Sequence, residues 1–152
     1  MSSRRGWGSE MAFETTRRVE FQHCDPAGLV FYPRYFEWTN SVTEEWFASL
    51  GRPFAEMHMG ERKGVPTAGL KASFPAPTRL GELLAFRLRC TRPGRSSLPL
   101  RIEATCGGEV RLRYRATLVH VDLGTGRPEP WPAALAEAFA GFVEDGTEEE
   151  RE

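Results

Sequence analysis

The sequence has no long hydrophobic run and few cysteines. No stretch approaches the roughly 18 consecutive apolar residues that cross a membrane. The start carries Arg4 and Arg5 without an apolar segment behind them. The three cysteines, Cys24, Cys90 and Cys106, show no paired spacing, which favours reduced thiols over a disulfide framework. We therefore expect a cytoplasmic protein with no membrane segment.

Net charge is also nearly absent, with a formal value of −1 and a pI of about 6.3. Since no overall basic field attracts nucleic acid or an anionic membrane, neither is an expected partner. The 152 residues, 40% of them hydrophobic, suffice for one domain with its own core. The polar start and acidic end predict flexible tails over 1–11 and 144–152, around a single domain over 12–143.

A long helix is predicted after residue 28, where the hydrophobic period becomes three to four residues. Pro33 stands where a first helical residue is typical, and Gly51 where a helix ends. The apolar stripe is strongly aromatic and needs much apolar cover. Its residues are Tyr35, Trp38, Val42, Trp46 and Leu50.

Strands are predicted on both sides of this helix. Residues 13–22 suit a half-exposed strand, and "TAGLKAS" suits another that ends before Pro75 and Pro77. Three runs with alternating apolar residues follow over 84–90, 98–106 and 110–118. Their short connections predict an antiparallel meander. A short C-terminal helix is predicted over 132–143.

This order, one strand, a long helix and then four strands, predicts an α+β hot-dog fold. The aromatic helix is buried only if the sheet curls around it. We therefore expect an antiparallel sheet of about five strands wrapped around one central helix.

Residues 19–38, "VEFQHCDPAGLVFYPRYFEW", resemble the N-terminal signature of the 4-hydroxybenzoyl-CoA thioesterase family. The rest of the chain matches in element order and in "KASFPAPTRLGE". The resemblance implies a hot-dog fold, dimers or tetramers, and acyl-CoA sites formed between subunits. It also implies hydrolysis of a CoA thioester without a metal or bound organic cofactor. Asp25 falls on the catalytic carboxylate, and Tyr32 on the residue whose backbone N–H binds the thioester oxygen.

The residues of this stretch suit that chemistry. Asp25 is an anion at neutral pH, able to attack the acyl carbon or to orient water. A helix beginning near Pro33 leaves free N–H groups, those of Phe31 and Tyr32, to stabilise an oxyanion. Gly28 lets the backbone turn tightly and approach a ligand.

Further candidates for substrate contact lie in two places. The loop "TRPGRSS" offers hydrogen-bond donors for the phosphates of CoA, although exposed arginines of a hairpin are equally compatible with it. Its donor residues are Arg92, Arg95, Ser96 and Ser97. The signature itself offers residues that either line an acyl pocket or pack in the core: His23, Gly28, Val30, Phe31 and Phe36.

Other interpretations of the same residues remain open. Asp25 is also typical of a turn or a helix N-cap. Metal binding by His23, Cys24 and Asp25 is disfavoured because neighbouring side chains of a strand point to opposite faces. Cys24 as a nucleophile needs a base and a lowered pKa that the sequence does not supply.

We predict an acyl-CoA thioesterase for an aromatic or other compact acyl group, with CoA as part of the substrate and no separate cofactor. One alternative is a non-catalytic module that binds acyl-CoA or acyl-carrier protein, which does not need Asp25. Another is a hot-dog dehydratase, for which His23 is the histidine nearest the site.

Overall fold

The computed structural model describes residues 11–144. Two regular helices are present, α1 (Pro33–Ser49) and α2 (Ala133–Ala140), together with a π-helical segment at Glu56–Glu61. Seven strands are assigned within these residues: β1 (Phe13–Arg18), β2 (Lys63–Gly64), β3 (Thr67–Ser73), β4 (Leu83–Cys90), β5 (Ser97–Cys106), β6 (Glu109–Val119) and β7 (Val121–Asp122). Five of them form one sheet in the order β1-β4-β5-β6-β3, while β2 pairs with β7.

The three predicted alternating runs form the antiparallel meander β4-β5-β6, as expected. Their alternate residues face inward and are fully buried, among them Phe86, Leu100 and Leu112. The alternation continues on β1, which pairs antiparallel with β4. The inward face is therefore apolar across β4, β5 and β6, whereas on β1 it carries the half-buried Phe13, Thr15 and Arg17.

Helix α1 lies against this apolar face. Trp46 and Val42 are completely buried, and Trp38 contacts Phe86 with ring centroids 6.3 Å apart. Helix α2 closes the core beyond the helix, where Phe139 stacks on Trp46 at 5.5 Å. The predicted hot-dog arrangement, a sheet around one aromatic helix, is confirmed.

The first strand is shorter than predicted and ends at Arg18 instead of residue 22. The chain then makes a 3-10 turn at Phe21–His23. The Glu20 N–H donates to His23 Nδ1 at 2.8 Å, and the His23 N–H donates back to the Glu20 carbonyl at 2.9 Å. These local bonds replace strand pairing because the histidine side chain competes for the backbone donor.

Two further boundaries agree with the sequence, whereas α2 ends at Ala140, three residues before the predicted end. Gly51, with φ of +87°, follows the end of α1 in a conformation that favours glycine. Strand β3 stops at Ser73, before Pro75. Residue 144, assigned above to the acidic tail, is a buried glutamate that pairs with Arg101 at 2.7 Å. Residues 1–10 and 145–152 of the predicted tails lie outside the described residues.

No helix within residues 11–144 is long and apolar enough to cross a membrane.

We expect Trp46→Ala to lower the free energy of unfolding by about 3–5 kcal/mol, because it leaves a large cavity between α1 and α2. Trp46→Phe keeps one ring and should lose clearly less. Urea denaturation followed by circular dichroism measures both variants. A loss below about 1 kcal/mol for the alanine variant would contradict the central place of this ring.

Candidate active site

Asp25 lies in a small hairpin at the end of the sheet where β3 finishes and β4 begins. Cys24 and Val30 form an antiparallel bridge across the hairpin. The Val30 N–H donates to the Thr78 carbonyl at 2.9 Å, which ties the hairpin to the segment between β3 and β4. The Gly28 carbonyl accepts from the Leu80 N–H at 3.0 Å. Two backbone bonds to this one segment therefore hold the Asp25 hairpin in place.

One oxygen of the Asp25 carboxylate is held by the backbone. Asp25 Oδ1 accepts hydrogen bonds from the N–H groups of Ala27 (2.9 Å) and Leu29 (3.1 Å). Asp25 Oδ2 accepts none from residues 11–144. Asp25 is thus a turn residue in its geometry, as the simpler interpretation holds, and still offers a free carboxylate oxygen. It is not the N-cap of α1, since Tyr32 occupies that position.

Gly28 makes the turn of this hairpin possible. Its φ is +80°, a region that residues with a side chain rarely adopt, while its N–H donates to the Asp25 carbonyl at 2.9 Å. A Cβ at this position would have no other atom within 4 Å. Backbone conformation, and not lack of space, therefore requires glycine here.

The prediction that Phe31 supplies a free N–H is wrong. Its N–H donates to the His23 carbonyl at 3.0 Å and so closes the hairpin. The signature folds back on itself, and the sequence reading of a simple strand-to-helix junction did not anticipate that bond.

Tyr32 keeps the only available N–H at the start of α1 within the described residues. Pro33 has no N–H. The N–H groups of Arg34 and Tyr35 donate to the carbonyls of Phe31 and Tyr32, at 2.8 and 3.1 Å. The Tyr32 N–H has no acceptor in residues 11–144, and it lies at the positive end of the helix dipole. The predicted donor is thus left open for a ligand.

His23 and Cys24 have local roles in the structure. The His23 ring packs against Trp38 with centroids 4.6 Å apart, and its Nδ1 is occupied by the Glu20 N–H. Burial, and after it the negative charge of Asp25, raises the pKa of the Cys24 thiol. A raised pKa disfavours the thiolate that a cysteine nucleophile needs. Within residues 11–144, no group of three or more His, Cys, Asp and Glu side chains could hold a metal ion.

An aromatic patch surrounds the start of α1. Phe31 and Tyr32 are 51% and 59% exposed, and Phe74 is 39% exposed. Phe74 contacts the rings of Tyr32 and Phe36 at centroid distances of 6.1 and 6.2 Å. Phe74 was not among the predicted site residues, although its place directly before Pro75, at the end of a strand, could have indicated an exposed aromatic ring.

A buried arginine holds the segment that supports the hairpin. Arg111, 7% exposed, donates to Glu82 at 2.6 Å and to the Pro77 carbonyl at 3.0 Å. Glu82 also accepts from the Arg79 N–H at 2.8 Å. Arg111 lies at an outward position of β6, so the sequence pattern gave no sign of its burial or its partner.

The loop proposed for CoA phosphates lies at the other end of the sheet. Its backbone is held by Trp131, which donates its N–H to the Arg95 carbonyl and its indole N–H to the Ser97 carbonyl, both at 3.0 Å. The His120 N–H donates to Ser96. Strand β4 separates this loop, including Arg92, from the Asp25 hairpin, so one chain does not bring them together.

Three comparisons with known proteins agree with this architecture. The profile of the thioesterase-like superfamily matches residues 19–139. The chain belongs to this superfamily. A 4-hydroxybenzoyl-CoA thioesterase from Pseudomonas sp. (strain CBS-3) is 31% identical over 110 residues, which cover 69% of this chain and 78% of that protein. The prediction of this family of thioesterases from the signature around Asp25 is confirmed.

Solved structures show the same fold at lower identity. A 1,4-dihydroxy-2-naphthoyl-CoA thioesterase from Synechocystis superposes with a TM-score of 0.79 at 19% identity, over 86% of this chain and 96% of that one. A thioesterase superfamily protein from Jannaschia sp. CCS1 gives 0.82 at 20% identity, over 88% and 94%. Because the sequence identities are low, these superpositions show that the fold is shared and nothing more.

The Glu82–Arg111 pair predicts how the stability of this superfamily member depends on pH. The hydrogen bond from Arg111 lowers the pKa of Glu82. The stabilisation is present above the ordinary glutamate pKa of about 4.3 and is lost as the pH falls through the lowered value. Glu82→Gln should therefore flatten the loss of stability as the pH falls below about 5.

Urea denaturation at a series of pH values measures this slope. Glu137→Gln, at an exposed position of α2, is the matched control and should keep the native slope. Equal slopes for the native protein and Glu82→Gln would contradict the importance of the pair.

Proposed function

We propose that this protein hydrolyses an acyl-CoA thioester to the free acid and CoA. The observation that carries this proposal is the presence of two open groups seven residues apart, Asp25 Oδ2 in the hairpin and the Tyr32 N–H at the start of the helix that follows it. The first is a carboxylate oxygen whose orientation is fixed because two backbone N–H groups donate to Oδ1 of the same carboxylate. The second is a hydrogen-bond donor at the start of a helix. A nucleophile or base and an oxyanion donor are what thioester hydrolysis requires.

The chemistry follows from the positions of these groups. The thioester carbonyl oxygen accepts from the Tyr32 N–H, where the helix dipole stabilises the negative charge that develops. Asp25 Oδ2 either attacks the acyl carbon or takes a proton from the attacking water. Collapse of the tetrahedral intermediate then breaks the C–S bond and releases the CoA thiolate. In the nucleophilic route this step leaves a mixed anhydride between the acyl group and Asp25, which a water molecule then hydrolyses to the free acid and the regenerated carboxylate. In the general-base route it gives the free acid directly, and the proton held by Asp25 passes to the CoA thiolate. Burial raises the pKa of the Cys24 thiol, which disfavours the thiolate that a competing nucleophile would need.

The acyl group we propose is aromatic or similarly compact. The exposed rings of Phe31, Tyr32 and Phe74 form an apolar surface next to the oxyanion donor. Aromatic rings favour offset or edge contacts with other rings. Two proteins similar to this chain are named for aromatic acyl groups, 4-hydroxybenzoyl and 1,4-dihydroxy-2-naphthoyl.

Asp25→Asn should lower kcat at least about 100-fold, which corresponds to about 2.7 kcal/mol of activation free energy. Asparagine keeps the shape of the side chain and removes the charge. Tyr32→Phe is the matched control, because the proposed donor is the backbone N–H and not the phenol. Thiol release from benzoyl-, hydroxybenzoyl-, phenylacetyl- and aliphatic CoA thioesters measures all three proteins.

Circular dichroism and thermal unfolding must first show that the variants are folded. If the native protein binds these thioesters and hydrolyses none, it is a binding module and the mechanism is wrong. If Asp25→Asn retains native turnover, the carboxylate has no catalytic role.

A second copy of the chain completes the site in our proposal. Within residues 11–144, strand β3 lies at the edge of the sheet and pairs with β6 alone, and Leu70 on it is 52% exposed. Such an edge presents backbone groups that pair readily with another strand. Antiparallel pairing of two β3 strands makes an isologous dimer, as two-fold symmetry requires.

Dimerisation through β3 brings the distant loop to the site. In one chain, β3 ends near the Asp25 hairpin and begins near the loop of residues 91–97. Antiparallel pairing places the beginning of one β3 beside the end of the other. Arg92 and Arg95 of the partner subunit then lie at the same end of the joined sheet as Asp25. An extended ligand such as CoA has phosphates remote from its thioester, so such a division of the site suits it.

Mixed dimers test this division. We expect Asp25→Asn and the double variant Arg92→Gln, Arg95→Gln each to be weak in thioester hydrolysis. Mixing the two chains should restore activity, because each mixed dimer contains one site with a native aspartate and a native partner loop. If each site used the loop of its own chain, no native site would form and activity would stay low.

A further inference from the structure

Tyr35 and Thr78 form a hydrogen bond between two buried hydroxyl groups close to the candidate active site. The Tyr35 phenol donates to Thr78 Oγ1 at 2.8 Å, and the two residues are only 3% and 1% exposed. Tyr35 belongs to the first turn of α1, whereas Thr78 lies between β3 and β4. A buried hydroxyl that loses its partner cannot turn to water instead, so this bond holds the two segments together.

The two open groups of the candidate site are connected to these two residues. On the helix side, the Tyr35 N–H donates at 3.1 Å to the carbonyl of Tyr32, the residue that carries the open N–H. On the other side, the Thr78 carbonyl accepts at 2.9 Å from the N–H of Val30, which lies in the same hairpin as Asp25. The bond between the hydroxyls therefore closes a chain of contacts that runs from Tyr32 to the Asp25 hairpin.

This bond restrains a joint that the backbone leaves movable. Phe31 is the one residue between Val30 and Tyr32, and its two backbone dihedrals are soft. The segment that carries Thr78 is itself fixed from β6, because Arg111 donates to the Pro77 carbonyl at 3.0 Å. A hydroxyl that ties α1 to this fixed segment limits how far the helix start can move relative to the hairpin.

We propose that Tyr35 is a positioning residue, whose hydroxyl acts through Thr78 to set the position of the Tyr32 N–H relative to the Asp25 carboxylate. This inference rests on the proposed thioester hydrolysis and adds a residue to it. The attacking group and the oxyanion donor serve the same acyl carbon, so a small displacement of one from the other costs rate. Burial raises the pKa of the Tyr35 phenol, and the hydroxyl therefore remains a donor at neutral pH.

The ring of Tyr35 has a different role from its hydroxyl. It lies against Phe74 of the aromatic patch, with ring centroids 5.0 Å apart. Tyr35→Phe keeps this ring contact and removes the hydroxyl alone. The apolar surface proposed for the acyl group should survive the substitution, whereas the relative position of the two reacting groups should not. The expected signature is a change in kcat without a change in KM.

Steady-state kinetics with the acyl-CoA that the native protein hydrolyses fastest tests this signature. Tyr35→Phe should lower kcat about 10-fold and leave KM within about twofold. Thr78→Val removes the same bond from its other side and should have the same effect. The double variant should lose no more than either single variant, because both act on one interaction. Thr78→Ser keeps the hydroxyl and should keep kcat.

Tyr114→Phe is the matched control. Tyr114 is a second buried tyrosine, on β6, and its phenol is hydrogen-bonded to Thr39 farther along α1. This substitution removes an equivalent buried hydroxyl without touching the segment around Thr78. It should lower the melting temperature about as much as Tyr35→Phe and leave kcat native. An equal fall of kcat in both variants would overturn the proposal, because it would show a general effect of lost stability.

Amide hydrogen exchange followed by NMR provides a readout that needs no substrate. The Val30 N–H should exchange at least about 10-fold faster in Tyr35→Phe than in the native protein and in Tyr114→Phe, because the carbonyl that accepts from it is less firmly held. Faster exchange in a protein that hydrolyses no thioester would refute the proposed function and still support the tie between α1 and the hairpin. Native exchange and native kcat in Tyr35→Phe would overturn the inference and leave the proposed function intact.

Discussion

Burial of the aromatic stripe of α1 is the constraint on which the rest of this structure depends. Trp46 and Phe47 are completely buried, and Trp38 nearly so. Bulky rings of this kind remove a large apolar area from water, and a flat sheet on one side could not cover them. The meander covers one side of the helix and α2 the other, through the stacking of Phe139 on Trp46. Once the helix is fixed in this way, its first turn has a fixed position at one end of the sheet.

The candidate site inherits its geometry from that position. The start of α1 reaches the end of the sheet where β3 leaves and β4 begins, and the Asp25 hairpin fills the gap between them. Thr78 connects both sides, since its hydroxyl accepts from the buried Tyr35 phenol at 2.8 Å and its carbonyl from the Val30 N–H. Arg111 fixes the same segment from β6. The open carboxylate oxygen and the open N–H thus rest on a rigid frame, as preorganised catalysis requires.

The sequence predicted what depends on periodicity and on local signature. The helix, the meander and the turn glycines follow from spacing, and Asp25 and Tyr32 follow from the unusual combination of residues around them. The hydrophobic pattern did not predict the end of β1, because there the His23 side chain accepts a hydrogen bond from the Glu20 N–H in place of a neighbouring strand. It also failed for contacts between distant segments, such as Arg111 with Glu82, because period-two alternation marks an outward arginine as exposed.

The Asp25 hairpin and the loop of residues 91–97 lie at opposite ends of β4, and for this reason our proposal requires two chains. A thioester substrate with remote phosphates needs an anionic site for its acyl end and cationic donors for the other, and these lie at opposite ends of β4. If Arg92 and Arg95 lay at the Asp25 end of their own chain, their positive charges would attract the Asp25 carboxylate and screen its negative charge. In the dimer that we propose, the two-fold axis at β3 brings the loop of one chain to the end of the sheet where Asp25 of the other chain lies.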